Sequence, residues 1–147
     1  SKIFENLNYL LGQTDFIAFE TISKSLISTN KKNKKVIIFG NGGSAAISSH
    51  VSVDLTKNAG IRSINFNEAD LLTCFSNDYG YKKVFSKSLE FYADKGDVVI
   101  IISASGRSKN LLEAAKICKK KKILLYTLTG MSKSNPTKKI GRYKFMG

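Results

Sequence analysis

Two short stretches carry residues that could do chemistry. Gly40-Asn41-Gly42-Gly43-Ser44 follows the apolar run Val36-Ile37-Ile38-Phe39, and Ser103-Ala104-Ser105-Gly106-Arg107-Ser108 follows Val98-Val99-Ile100-Ile101-Ile102. Each reads as a buried strand that turns sharply into a helix. A turn of Gly and Ser at the carboxyl end of a parallel strand offers N–H groups, hydroxyl donors and a helix N-terminus, a combination that suits a phosphate. Two such turns in one small domain imply one phosphorylated ligand held from two sides.

Other tasks for these residues fit less well. Gly40 to Ala45 also matches the spacing G-x-G-x-x-A of dinucleotide sites, a weak signal by itself. The acidic residue that would bind a ribose at the end of the second strand is missing, because Ile61 to Phe66 runs into Asn65, Phe66 and Asn67, with Glu68 past it. No nucleotide cofactor is therefore expected. Glycines that merely permit a tight turn would account for Gly42 and Gly43 but leave Asn41 and Ser44 without a task. In the second loop Ser108 stands where a helix cap would, ahead of Leu111 and Leu112. Three hydroxyls within six residues exceed what a cap needs.

The elements that must position these loops follow from the hydrophobic pattern. Residues 1–30 place Ile3, Leu7, Leu10, Leu11, Phe16, Ile17, Phe19, Ile22, Leu26 and Ile27 at helical spacing. One or two amphipathic helices are expected there, packing on the domain or on a partner subunit. From residue 31 to 147 the pattern is a single domain. It predicts strands near 36–39, 61–66, 97–102 and 123–127, helices near 43–56, 68–76, 80–92 and 108–120, and a short last strand at Tyr143 to Met146. Fully apolar strands are those of a sheet covered by helices on both faces. The expected fold class is thus α/β, a three-layer sandwich around a parallel, doubly wound, flavodoxin-like sheet. Ligands of such sheets lie beyond the carboxyl ends of the strands, where both loops fall.

Composition limits the partners. A chain of 147 residues with 42% hydrophobic content can bury a real core, and its apolar runs are too short to span a membrane. Cys74 and Cys118 lie far apart without metal-ligand spacing, so free thiols in a cytoplasmic protein are expected. The 24 Lys and Arg against 11 Asp and Glu give a net charge of +13, which raises the question of nucleic acid. Much of that excess sits in Lys31, Lys32, Lys34 and Lys35 and in Lys119 to Lys122, each run just before a strand. Those runs belong to the edge opposite the ligand, without interleaved aromatics that stack on bases, and read as a solvated rim rather than a nucleic-acid surface.

Taken together, Gly-Asn-Gly-Gly-Ser-Ala-Ala with a helical His50, Asn77-Asp78-Tyr79-Gly80-Tyr81, Gly96-Asp97 before Ser103-Ala104-Ser105-Gly106-Arg107-Ser108-Lys109-Asn110, and Leu128-Thr129-Gly130 resemble the sugar isomerase (SIS) domain, in its phosphoheptose isomerase branch. The resemblance covers about residues 35–131. It implies a homo-oligomer, a tetramer or dimer, that converts sedoheptulose 7-phosphate to glycero-manno-heptose 7-phosphate for lipopolysaccharide or capsule. It implies that Asn41, Gly42, Gly43 and Ser44 contact the sugar, that Ser103, Ala104, Ser105 and Ser108 contact the phosphate, and that Asn77 and Asp78 reach the ligand. It further implies that His50 and, four residues on, Asp54 serve proton transfer and help bind zinc. The i to i+4 spacing sets both on one helix face. A carboxylate base that moves a proton between C1 and C2 is what an enediol isomerisation needs.

Two departures from the family pattern bear on activity. Position 54 is Asp where the family has Glu, one methylene shorter. The family's C-terminal helix, with a Gln and a second catalytic, zinc-binding His, has no counterpart up to Gly147. His50 and Asp54 alone are two ligands short of a tetrahedral zinc. The alternative expectation is therefore a non-catalytic sugar-phosphate-binding or sensor SIS protein. Apart from the resemblance, the plainer reading makes His50 a packed helix residue and Asp54 a surface carboxylate near Lys57.

Overall fold

The computed structural model describes residues 1–12, 16–130, 135–140 and 143–146. In chain order the elements are α1 (Lys2–Gly12), α2 (Phe16–Lys31), β1 (Val36–Gly40), α3 (Gly43–Lys57), β2 (Ser63–Ile64), α4 (Ala69–Tyr79), a 3-10 turn (Tyr81–Lys83), α5 (Val84–Tyr92), β3 (Val98–Ser103), α6 (Lys109–Lys120), β4 (Leu124–Thr129), α7 (Pro136–Ile140) and β5 (Tyr143–Met146). The five strands form one parallel sheet in the order β2-β1-β3-β4-β5. This is the flavodoxin-like winding, and its direction reverses between β1 and β3, the place beyond the strand ends where ligands of such sheets bind.

The two faces of the sheet bury separate apolar clusters, as strands with no polar alternation require. On one face Ile37, Phe39, Val99, Ile101 and Leu125 meet Phe85, Leu89, Leu111, Ala114 and Ala115 of α5 and α6. Phe39 stacks on Phe85 with ring centroids 4.8 Å apart, which ties β1 to α5. On the other face Val36, Ile38, Val98, Ile100 and Tyr126 are covered by Ile22 and Leu26 of α2 and by Val51 and Leu55 of α3.

The second strand is shorter than its apolar run suggests. Only Ser63 and Ile64 pair with β1, although Ile61 and Phe66 are buried at either end. The ladder stops because the Asn65 carboxamide accepts the Asn67 amide, and the Asn67 side chain donates to Ala45 O and Ser49 Oγ of α3. The helix expected over 80–92 also begins late. Gly80, at φ +80°, leads into the 3-10 turn before α5. The short α7 went unpredicted, although Asn135-Pro136 is a helix-start signal.

Both lysine runs end at the amino edge of the sheet, in front of β1 and β4. Within that rim Lys35 is anchored: its Nζ lies 2.8 Å from Asp94 and 2.7 Å from Asp97. Burial pulls its pKa down, but the bonds to both carboxylates outweigh burial and the net shift is upward. Asp97 is buried and also accepts the backbone amides of Lys35 and Asp94, so one carboxylate joins the starts of β1 and β3. At the other extreme, α1 exposes Ile3, Phe4, Leu7, Tyr9 and Leu11, and α2 exposes Phe16, Ile17, Phe19 and Ile27. No helix among the described residues is long and apolar enough to cross a membrane.

Candidate functional site

The register of the sheet brings the two loops together. Gly40 of β1 pairs with Ile102 of β3, so the chain leaves both strands side by side at the point where the winding reverses. A Cβ on Gly40 would lie 2.6 Å from Ile102 O and 2.7 Å from Ser44 Cβ. The residue must be glycine for α3 to start this close to β3. Gly42 stands at the N-cap of α3 with φ +55°, a conformation that costs a side chain dearly.

Asn41 locks the two units to each other. Its Nδ2 donates to Asn110 Oδ1 at 3.0 Å, while Asn110 Nδ2 donates back to Asn41 Oδ1 at 2.9 Å. The hydroxyl of Tyr81 donates to the same Asn41 oxygen at 3.1 Å. Asn110 Oδ1 also accepts the Leu111 amide, which fixes the carboxamide against the first turn of α6. Asn110 and Tyr81 belong to the motifs quoted from the sequence but carried no role there. A polar residue inside the first turn of an otherwise apolar helix face was the signal for Asn110.

The second loop is built so that its hydroxyls divide into braces and donors. Ser103 is buried, and its Oγ accepts the Gly106 amide at 3.0 Å. Ser105 is half-buried and accepts the Arg107 amide at 3.3 Å, leaving its own proton to donate outward. Ser108 occupies the N-cap position of α6 without a side-chain capping bond, so its hydroxyl is not engaged as a cap. Below it the first amides of α6 have no intrahelical acceptor and a helix dipole behind them. Arg107 and Lys109 are exposed beside these donors. The arrangement can hold a dianion with neutral donors, a helix terminus and flanking cations.

The remaining residues singled out in the sequence are placed differently. Asn77 and Asp78 lie exposed at the end of α4, where Asn77 Nδ2 donates to Asp78 Oδ1 and the Cys74 thiol to Asp78 Oδ2. That carboxylate, ahead of burial, raises the Cys74 pKa. His50 and Asp54 do share a face of α3, with Nε2 to Oδ2 at 3.4 Å, and Asn58 Nδ2 donates to Asp54 Oδ1. Yet that face lies opposite the stripe of Ser44, Ser48 and Ser52 that turns toward the sheet, and the His50 side chain is 81% exposed. His50 is not a packed helix residue. It stands between exposed Ile47 and Val53 on the outer face of α3.

A zinc ion does not fit what the described residues of one chain offer. Among the described residues no cluster of three or more His, Cys, Asp or Glu side chains could hold a metal ion, and His50 with Asp54 supplies two of four ligands. At the end of the second strand Asn65 and Asn67 are tied to each other and to α3.

Comparisons with known proteins bear on this geometry. A family model described as the SIS domain matches residues 10–130. A phosphoheptose isomerase of Cytophaga hutchinsonii is 41% identical over 110 residues, 71% of this chain and 58% of its own length. A phosphoheptose isomerase of Campylobacter concisus is 39% identical over 135 residues, 88% of this chain and 69% of its own length. Among solved structures, a phosphoheptose isomerase from Francisella tularensis superposes with a TM-score of 0.81 at 22% identity, over 88% of this chain and 71% of that chain. The chain thus spans under two thirds of the length of the first of these relatives.

Proposed function

Because the chain belongs to the SIS domain family, in its phosphoheptose isomerase branch, we propose that it binds a phosphorylated sugar and interconverts its ketose and aldose forms, taking sedoheptulose 7-phosphate to glycero-manno-heptose 7-phosphate. The observation that carries this reading is the joining of two donor-rich loops at the switch point of the sheet through the Asn41–Asn110 pair. In it the phosphate meets the hydroxyls of Ser105 and Ser108, the loop backbone at Ala104 and the N-terminus of α6, while Ser103 braces the loop. Gly42, Gly43 and Ser44 approach the sugar with Asn41, and Asn77 and Asp78 close over it from α4.

In the isomerisation a base takes a proton from C1 of the ketose, giving an enediol, and the proton returns at C2 while the hydroxyl proton passes from O1 to O2. Asp54 is assigned that base, with His50 as its partner. Since both lie on the solvent-facing side of α3, they would act on ligand held by a neighbouring copy. Ile47 and Val53 beside them, with the exposed apolar residues of α1 and α2, offer that copy a surface. The reading therefore requires a homo-oligomer, a dimer or tetramer. It puts the chain in the cytoplasm, in heptose synthesis for lipopolysaccharide or capsule. No step is routed through zinc.

A coupled assay of aldose formation from sedoheptulose 7-phosphate tests the reading. Wild type should turn over, and Asp54→Ala should lose at least about 100-fold in kcat with binding kept, the scale of a lost general base. The exposure of His50 and Asp54 favours one second reading, a non-catalytic sugar-phosphate binder. Binding without turnover in wild type would establish that reading in place of the enzyme.

A further inference from the structure

The segment after β4 contributes to the second loop in a way that nothing above uses. Gly106 is the pivot of that loop, at φ +61°. Its amide donates to Ser103 Oγ, and its carbonyl accepts both the Thr137 amide at 3.1 Å and the Thr137 hydroxyl at 2.6 Å. The place where a Cβ would stand is filled by the Asn135 side chain. Asn135 is itself fixed by Nδ2 donating to Thr129 Oγ1 at 3.0 Å. Gly106 is thus held at its nitrogen, at its Cα and at its oxygen by three different residues. Asn135 and Thr137 are both almost wholly buried, at 1% and 0% exposure. Two positions earlier in the loop, the Ala104 carbonyl accepts the Gly130 amide at 3.1 Å.

These bonds have a consequence for an anion. In a trans peptide the N–H points opposite to the C=O, and the described chain contains no cis bond. Fixing the Ala104 carbonyl on Gly130 therefore aims the Ser105 amide to the other side of the loop. Fixing the Gly106 carbonyl on Thr137 withdraws a second oxygen that would repel a phosphate. The donors are left facing outward and the acceptors are held behind.

We infer that Asn135 and Thr137 are positioning residues for the phosphate-holding loop, pinning Gly106 so that Ser105 and Ser108 meet the ligand with donors only. The inference rests on the reading of this loop as the phosphate grip. Asn135 and Thr137 touch no ligand and act through Gly106. Their effect belongs to binding, not to proton transfer.

The test compares Thr137→Val, which keeps shape and backbone but deletes the hydroxyl, with Thr137→Ser, which restores it. The readouts are kcat and KM for sedoheptulose 7-phosphate and its calorimetric Kd, on variants shown to be folded by circular dichroism. Thr137→Val is expected to raise KM and Kd about tenfold, the cost of one lost hydrogen bond to a strained turn, with kcat within about twofold of wild type. Thr137→Ser should recover wild-type binding. Asn135→Ala frees the space beside Gly106 while leaving the Thr137 bonds to it, and should weaken binding likewise. This second variant keeps the test decisive should Thr137→Val fail to fold. Folded variants that bind like wild type, or a loss in kcat alone, would overturn the inference. Ser105→Ala separates the two levels: weaker binding in Ser105→Ala with normal binding in the Thr137 and Asn135 variants defeats this inference alone, whereas normal binding in Ser105→Ala defeats the phosphate-grip reading beneath it.

Discussion

Gly40 has no room for a side chain, and the atoms that exclude one are a β3 carbonyl and the first turn of α3. Neither is a flexible group that can swing aside. Gly40→Ala should therefore push α3 away from β3 and separate Asn41 from Asn110. Overpacking of this kind costs about 1–3 kcal/mol. Denaturant unfolding should show that loss, and the folded fraction should bind ligand more weakly than wild type. A Gly40→Ala protein as stable as wild type would mean that the contact between the loops is looser than described. The same residue scale separates the serines. Ser103 is buried and holds Gly106, so its loss is a loss of loop shape, whereas Ser105 and Ser108 are half-buried with protons to give.

At the scale of elements, the sheet was legible because β1 and β3 are apolar without alternation, which only a strand covered on both faces requires. The starts of α3 and α6 were legible from glycine and serine after those strands. The end of β2 was not, because side-chain bonds of Asn65 and Asn67 stop the ladder within an apolar run. Nor was the outward face of His50 and Asp54. Their i to i+4 spacing fixes a shared face but not which way it points, and that is set by Ser48 and Ser52 turning inward instead. The supporting residues Asn110, Tyr81 and Thr137 were hidden for a further reason: their partners Asn41 and Gly106 lie 69, 40 and 31 positions away in the chain, and Asn135 packs on the same distant Gly106. Among the described residues β4 holds one uncompensated group. Thr127 Oγ1 is buried with no hydrogen-bond partner among the described residues, and Thr127 pairs in register with Ile101 of β3 and Lys144 of β5. Thr127→Val removes the orphan hydroxyl and keeps the branched shape, so it should stabilise the protein by about 1 kcal/mol. A thermal melt that falls instead would reveal a partner for that hydroxyl.

For the whole molecule, charge and ligand edge are segregated. The lysine runs before β1 and β4 lie at the amino edge of the sheet, while the loops lie at the carboxyl edge. A net charge of +13 will draw nucleic acid at low salt, but lysines without stacking aromatics give only counterion-driven binding. Retention on a DNA or RNA column should vanish by about 0.2 M salt. Tight binding that persists there would make the rim a working surface. The central claim concerns the opposite edge, that the Ser103–Ser108 loop grips the phosphate of a sugar phosphate. Calorimetric titration of sedoheptulose 7-phosphate into wild type and Ser105→Ala tests it most directly. The account predicts saturable binding to wild type and an affinity at least about tenfold weaker in Ser105→Ala, the cost of one charge-assisted hydrogen bond. Equal affinities for the two proteins would contradict it.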